Sequence, residues 1–274
     1  STALQTINYD YNIRGWLTAI NDPTDLGNDL FGMNLCYNDT ISIGGLTTLA
    51  QFNGNISGIR WKSIGESNSK GYGFIYDALN RLKDSDYGEG SSFTTYPNRY
   101  NESIGSYDLN GNIKSLTRRG IDGSTPLILD SLTYLYSGNK LQRIIDTASK
   151  SLGFIDITNA LDYNYDLNGN LIQDLNKGIS NIEYNFLNLP TEVSKDATHK
   201  VMYIYDATGV KLKKQVISGT NTPDRYYAGA FEYDDEKELD LIHTEEGVVN
   251  VTGSTYDYEY FLKDHLGNTR ITFK

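Results

Sequence analysis

Two five-residue segments place oxygen-bearing side chains at the spacing of a calcium loop. Residues 108–112 and 166–170 both have the sequence Asp-Leu-Asn-Gly-Asn, which matches the first five positions of an EF-hand loop. That loop also needs a bidentate glutamate at its twelfth position, where counting from Asp108 and Asp166 gives Arg119 and Lys177. Because a cation cannot supply this ligand, we interpret both segments as turns and predict no metal site.

The residues that most often serve in catalysis are few and scattered. His199, His243 and His265 are far apart, and none has the i, i+4 partner of a helical zinc motif. Asp264 and His265 could form half of a catalytic triad, but no Gly-x-Ser-x-Gly nucleophile motif occurs and Cys36 stands alone. We therefore predict no catalytic residue, no cofactor and no enzymatic activity. A glycosidase carboxylate pair stays an open alternative, since the chain has 35 acidic residues.

The charge of the chain argues against two classes of partner. The 274 residues include 24 Lys and Arg against 35 Asp and Glu, for a net charge of -11. This excess is opposite to the basic surface that binds nucleic acid or anionic lipid. No apolar run has the length of a membrane helix, and we predict neither nucleic-acid binding nor direct membrane insertion.

The elements that must position these polar residues are strands. Tyr is abundant at 22 residues and Gly at 26, whereas Pro is scarce at 5. Tyrosine favours strands and glycine favours the tight turns between them. Glycines also interrupt every candidate helix, so we predict an all-β fold.

A short motif recurs along the chain, and it links the polar segments to the strands. An aromatic residue is followed by Asp or Asn, then a turn that contains Gly or Asn, then an aliphatic residue. Successive copies are 19 to 31 residues apart between Phe52 and Tyr205, which is the length of a hairpin and its connection. The predicted motif residues are Tyr9, Asp10, Gly15, Tyr76, Asp77, Tyr107, Asp108, Gly111, Tyr165, Asp166, Gly169, Tyr205, Asp206 and Gly209.

Each copy predicts a hairpin. Asn110-Gly111 and Asn168-Gly169 favour type I′ turns, in which both central residues have positive φ. The aspartate before each turn is expected to accept backbone N–H bonds as an Asx-turn. The tyrosine rings of successive copies are expected to stack, with each hydroxyl reaching solvent or a polar partner. We therefore predict one antiparallel hairpin array over residues 1–274.

These motifs resemble the tyrosine-aspartate repeats of Rhs and YD-repeat proteins. Residues 260–270, Tyr-Phe-Leu-Lys-Asp-His-Leu-Gly-Asn-Thr-Arg, are similar to the signature that opens the Rhs repeat-associated core. Within this segment we interpret Asp264, His265, Gly267 and Arg270 as a structural turn: Asp264 caps amides, Gly267 takes positive φ and Arg270 forms an ion pair. The blocks 9–17 and 30–33 resemble members from Bacteroidota.

The resemblance implies a fold and a role. In that family the repeats form a spiralling β-sheet, part of a shell or β-solenoid, that encloses a variable, toxin-like C-terminal segment. It implies that this chain is the C-terminal part of a longer exported polypeptide, at the cell surface or outside the cell. Its partners would be the rest of that polypeptide or its cargo, or an outer-membrane or secretion-system protein. The plug and the aspartyl-protease motif of self-cleaving members do not occur in this sequence. We therefore assign neither proteolysis nor toxicity to any of its residues.

A second interpretation stays open beside this structural one. The chain could instead be a surface binding or adhesion module that contacts a partner protein or glycan. A shell segment should direct polar residues toward an enclosed lumen, whereas a binding module should present an aromatic, weakly charged patch outward.

Overall fold

A computed structural model describes residues 4–38, 45–46, 48–148, 151–157, 161–220 and 222–274. In these ranges every regular element is a β-strand. The described residues contain no helix with the length and apolar character required to cross a bilayer.

Alternating side chains and glycine-containing turns give short strands along the chain. They are β1 (Tyr9–Tyr11), β2 (Leu17–Ile20), β3 (Phe31–Cys36), β4 (Gly58–Ser63), β5 (Lys70–Tyr76), β6 (Leu82–Glu89), β7 (Glu102–Tyr107), β8 (Ile113–Asp122), β9 (Thr125–Ser137), β10 (Lys140–Asp146), β11 (Tyr163–Tyr165), β12 (Leu171–Asp174), β13 (Asn181–Tyr184), β14 (Pro190–Asp196), β15 (His199–Tyr205), β16 (Lys211–Ser218), β17 (Asp224–Ala228), β18 (Phe231–Tyr233), β19 (Leu239–His243), β20 (Gly247–Thr252), β21 (Thr255–Lys263) and β22 (Thr269–Phe273).

The strands pair in the order in which they occur in the sequence. Strands β1 to β10 form one ten-stranded sheet, β11 and β12 form a two-stranded sheet, and β13 to β22 form a second ten-stranded sheet. The registered pairs are antiparallel, as in β5 with β6 and β15 with β16. The all-β, antiparallel hairpin fold predicted from the sequence is therefore confirmed.

The chain divides into two compact units. The first comprises Ser1–Thr133, Asp146–Phe154 and Leu262–Ile271, and the second comprises Tyr134–Ile145, Ile155–Phe261 and Thr272–Lys274. The single array over residues 1–274 stays a prediction.

The core of the first unit lies under a loop that folds back on the sheet. Phe93 is 1% exposed and packs with Cys36 and Leu46. The loop can approach because Gly71 has no side chain: a Cβ there would lie 2.6 Å from the Phe93 ring. In the second unit the buried apolar side chains include Ile144, Ile182 and Val249.

Candidate functional site

One turn recurs between paired strands, and it is the structural unit of the predicted motif. Its first residue, here called the turn acceptor, pairs its N–H with the carbonyl four residues later, while its own carbonyl accepts the N–H three residues later. Copies within the described part of the chain begin at Asn12, Asp77, Asp108, Asp166, Asn185, Asp206, Asp234 and Asp264.

The turn at Asp108 shows how the side chain closes the loop. Asp108 Oδ1 accepts the amides of Asn110 and Asn112, both at 2.9 Å, and Oδ2 accepts the Asn112 side-chain amide at 2.9 Å. Asp77, Asn185, Asp206, Asp234 and Asp264 likewise each accept two loop amides. The predicted Asx-turn is confirmed at Asp77, Asp108, Asp206 and Asp264, the positions where the sequence predicted it.

The predicted turn type was wrong. Type I′ needs positive φ at both central residues, but in these hairpins it is the fourth residue of the turn that has it, as at Gly111 with 89° and Gly169 with 90°. Asn110 and Asn168 keep negative φ. The loop therefore has three residues, a type I turn followed by a left-handed residue, because the acceptor bonds a carbonyl four residues away. That fourth residue is Gly15, Asn80, Gly111, Gly169, Asn188, Gly209, Lys237 or Gly267.

The turn carboxylates are already engaged by donors, which sets their acidity. The Asn112 side chain lowers the pKa of Asp108, Arg81 lowers that of Asp77, and Thr208 lowers that of Asp206. At Asp166 burial opposes the shift, but the bonds from Asn170 prevail and the pKa is lowered. Among the described residues no group of three or more His, Cys, Asp or Glu side chains could hold a metal ion.

The tyrosines before the turns connect one copy to the previous one. The hydroxyl of Tyr76 donates to the carbonyl of Ile56 at 2.7 Å, and that of Tyr184 to Leu171 at 2.7 Å. Equivalent bonds join Tyr107 to Leu82, Tyr165 to Leu141 and Tyr205 to Pro190. The Tyr37 hydroxyl, which lies outside the described turns, donates to the Leu17 carbonyl. In most pairs the accepting residue follows the turn of the preceding hairpin, so the hydroxyl fixes the spacing between neighbouring hairpins.

The environment of these tyrosines differs from the predicted ring stack. Cations cover two of the rings: Arg81 Cζ lies 4.2 Å from the Tyr107 centroid, and Lys140 Nζ lies 5.5 Å from that of Tyr165. Burial raises the pKa of Tyr76, Tyr165, Tyr184 and Tyr205. Tyr205 lies beside the Tyr203 ring of its own strand, with centroids 6.3 Å apart, and Tyr37 lies beside Trp16, with centroids 5.1 Å apart. Among the described residues, neither of these ring contacts joins the tyrosines of two successive copies.

The C-terminal motif forms the most buried of the turns. The Asp264 side chain is 0% exposed, with Oδ1 on the amides of Leu266 and Asn268 and Oδ2 at 2.8 Å from Arg270 Nε. Gly267 has φ 82°, and the Arg270 guanidinium lies 5.9 Å from the Trp61 ring centroid. Burial opposes the shift at Asp264, but bonds from Asn268 and Arg270 lower its pKa.

His265 does not join this network. Its Nδ1 is buried without a hydrogen-bond partner in the described part of the chain. Burial lowers its pKa despite the neighbouring charge of Asp264. Asp264 therefore does not orient the imidazole as a triad acid would.

The first predicted copy is shifted by two residues. Tyr9 and Asp10 lie in β1, where they pair with Ile20 and Ala19. Asn12 is the turn acceptor instead, bonding the amides of Arg14 and Trp16, and Gly15 takes the left-handed position at φ 75°. The sequence offered two consecutive aromatic-acceptor pairs, and the spacing to Gly15 selects the second.

One turn and a set of buried acids were not predicted from the sequence. Asp234 is not among the predicted motif residues, but it is a turn acceptor, with Lys237 at φ 66°. Tyr233 before it and Leu239 after the turn match the aromatic and aliphatic positions of the motif, so the sequence pattern could have predicted this copy. Asp130, Asp146, Asp162 and Asp174 are buried as well. Several of them bond backbone amides of neighbouring segments, as Asp162 does to Ile144 at 2.8 Å.

The turns also expose apolar side chains. The first loop residues, Leu109 and Leu167, are 106% and 105% exposed. Ile13, Leu79, Phe186 and Leu266 are exposed at the corresponding loops of other copies.

Comparisons with known proteins agree with this repeated unit. The sequence model of the teneurin YD-shell family matches residues 28–228, more than half of the chain. Among curated proteins there is no significant match.

Solved structures share the fold. The crystal structure of TcdB2-TccC3 without the hypervariable C-terminal region is 15% identical, with a TM-score of 0.61 over 97% of this chain. The crystal structure of TcdB2-TccC3-TEV is 12% identical, with a TM-score of 0.58 over 97% of this chain. The aligned region is 14% and 15% of those chains, respectively.

Proposed function

The chain belongs to the teneurin YD-shell family, and we propose that it is a non-catalytic wall segment of an Rhs-type shell. The observation that carries this proposal is the repeated link between hairpins. The hydroxyls of four of these tyrosines donate to a strand of the preceding hairpin, as Tyr184 does to Leu171; the others are Tyr107, Tyr165 and Tyr205. A wall extends by adding identical units to a sheet, and a bond of this kind holds each new unit to the previous one.

The length of the matched chains supports a longer parent. The aligned region occupies 14% of one matched chain and 15% of the other. We propose that the shell encloses or presents a variable C-terminal segment and that residues 260–270 begin an Rhs repeat-associated core. We further propose an exported Bacteroidota protein, outside the cell or at its surface, with its own longer chain, a cargo segment, or an outer-membrane or secretion protein as partner.

The chemistry of the motif supports a structural role over turnover. A general acid needs a carboxyl group that can give its proton to a reacting group. Asp108 and Asp264 instead bond loop amides through Oδ1 and side-chain donors through Oδ2. Their lowered pKa values keep them ionised at neutral pH, which suits a constant acceptor.

The exposed apolar loops favour a second candidate function. Leu167 and Phe186 extend into solvent from two turns of the second unit that a bond from Asn168 to Asn188 holds together at 3.1 Å, and contiguous exposed apolar patches often mark contact surfaces. A surface binding module would use these two loops to contact a partner protein or glycan.

The test uses the native protein purified from its source. Intact mass and peptide mapping give the length of the parent, and cryo-EM of the purified particle gives its shape. The proposal predicts a mass far above 30.7 kDa and strands that continue into a closed wall around internal density. A protein of about this mass, with a stoichiometric partner bound on the exposed loops, would overturn the shell proposal and support the binding module.

A further inference from the structure

Arg60 and Lys62, two basic residues of β4, line a cavity between two loops of the first unit. Arg60 and Lys62 alternate with Ile59 and Trp61, so they extend from the same face of the sheet. Each has a glycine as a cross-strand neighbour: Lys62 pairs with Gly32, and Arg60 pairs with Gly71 on one side and Asn34 on the other.

Each glycine admits one of the loops. A Cβ at Gly32 would lie 2.7 Å from the backbone nitrogen of Pro23, and a Cβ at Gly71 would lie 2.6 Å from the Phe93 ring. The segment at Pro23 and the loop at Phe93 therefore rest directly on the sheet. They form the sides of a cavity of about 290 Å³ that Arg60, Lys62, Thr24, Ser91 and residues 67–69 line.

The cavity walls supply donors. Ser67, Asn68 and Ser91 have no hydrogen bond to the described residues, and Ser69 donates to the Pro23 carbonyl at 3.0 Å, which fixes one wall. The Arg60 guanidinium stacks on Phe93, with Cζ 4.9 Å from the ring centroid, and its Nε is buried without a hydrogen-bond partner. Arg60 is thus held in place with donor capacity unused.

The acidic side chains near the cavity already bond groups other than Arg60 and Lys62. Asp22 Oδ1 accepts the amide and hydroxyl of Thr24 at 2.8 Å and 2.6 Å. The bonds from Thr24 are the main cause of the lowered pKa of Asp22, and the charge of Arg60 lowers that pKa further. Glu66 pairs with Lys70 and accepts the Ser63 amide. In the described ranges neither Arg60 nor Lys62 forms an ion pair, although the chain carries a net charge of -11.

We propose that this cavity binds an oxyanion of the phosphate or sulfate class. Arg60 and Lys62 supply two positive charges against the one negative charge of Asp22. Hydroxyl and amide donors surround them, which is the donor set that phosphate and sulfate oxygens require. The volume lies near the lower end of small-molecule sites, so the ligand is a free ion or an ester on one small molecule.

The test measures binding by titration calorimetry at fixed ionic strength. The probes are inorganic phosphate, inorganic sulfate and glucose 6-phosphate, each titrated into the chain. One saturable site is expected. Lys62→Gln should raise the Kd of the probe about tenfold or more, because one charge-assisted bond is lost. The Lys114→Gln variant is the matched control, since it removes one exposed positive charge on β8 outside the cavity.

A second measurement keeps the test independent of folding defects. Amide chemical shifts of Ser69 and Ser91 should move on titration in the wild type and in Lys114→Gln, and far less in Lys62→Gln. Tighter binding of glucose 6-phosphate than of the free ions would identify an ester as the source, and the reverse order would identify a free ion. No saturable binding of any probe, or equal binding by the two variants, would overturn the proposal.

Discussion

The acceptor that opens each turn is the residue on which a hairpin depends most. A three-residue loop leaves two amides without strand partners, and one side-chain oxygen bonds both, as Asp206 Oδ1 does at 2.8 Å and 3.0 Å. Asparagine performs the same role at Asn12 and Asn185. The turn therefore requires an acceptor oxygen at this position, and the negative charge of an aspartate contributes separately to stability.

Asp264 allows these two contributions to be separated. Asp264→Ala removes the acceptor of two amides and the partner of Arg270, and we expect it to destabilise the fold by about 2 to 3 kcal/mol. Asp264→Asn keeps an acceptor oxygen and should lose less. Urea denaturation measures both free energies of unfolding. Asp257→Ala on the exposed part of β21 is the control and should change stability by less than about 0.5 kcal/mol; equal losses in Asp264→Ala and Asp257→Ala would contradict the expectation.

The turn acids also predict how stability depends on pH. Asp77, Asp108 and Asp206 have pKa values below the ordinary 3.8, so the unfolded chain binds protons more readily than the folded one. Their contribution is therefore complete well above pH 3.8 and is lost as the pH falls through the lowered folded pKa. The urea midpoint should decline between about pH 5 and about pH 2.

Replacing two of these aspartates by asparagine, the acceptor already present at Asn12 and Asn185, supplies the control for this decline. In the double variant Asp108→Asn, Asp206→Asn the two turns keep their acceptor oxygen but no longer titrate, so the midpoint should depend less steeply on pH. An unchanged slope would show that other acids set the acid sensitivity.

At the scale of strands and turns, the tyrosine hydroxyls hold successive hairpins in register. Tyr184 ends β13 and bonds the carbonyl of Leu171, which begins β12. Tyr184→Phe keeps the ring but leaves that carbonyl without this donor, and we expect a loss of about 1 kcal/mol. The matched control is Tyr258→Phe, because Tyr258 is 57% exposed. A urea midpoint that shifts equally in both variants would mean that the hydroxyl bond contributes nothing specific.

The elements were predictable where local chemistry decides them. The alternation of Tyr163 and Tyr165, the glycine at 169 and the acid at 166 determine a hairpin from its own residues. The turn type was not predictable from Asn-Gly alone, because the acceptor side chain selects a three-residue loop over a two-residue one. The Arg60 and Lys62 cavity was also beyond the sequence, since it depends on loops at Pro23 and Phe93 that come from distant parts of the chain.

At the scale of the whole molecule, the sequential strand order limits what each substitution can affect. In the sheet from β13 to β22 every strand pairs with its neighbours in the sequence. Stability in such an array is close to a sum of local terms and nearest-neighbour terms. A local defect should therefore remain local, which differs from the behaviour of a fold with one central core.

Hydrogen exchange of a Tyr205→Phe variant tests this expectation. Tyr205 ends β15 and bonds the carbonyl of Pro190 at 3.1 Å, at the start of β14. Loss of that bond should speed amide exchange in β14, β15 and β16, whereas β20 and β21 of the same sheet should exchange at the wild-type rate. Mass spectrometry of the exchanged peptides resolves these strands. Equal acceleration over β13 to β22 would show that the sheet opens as one cooperative unit, and the nearest-neighbour description would then be wrong.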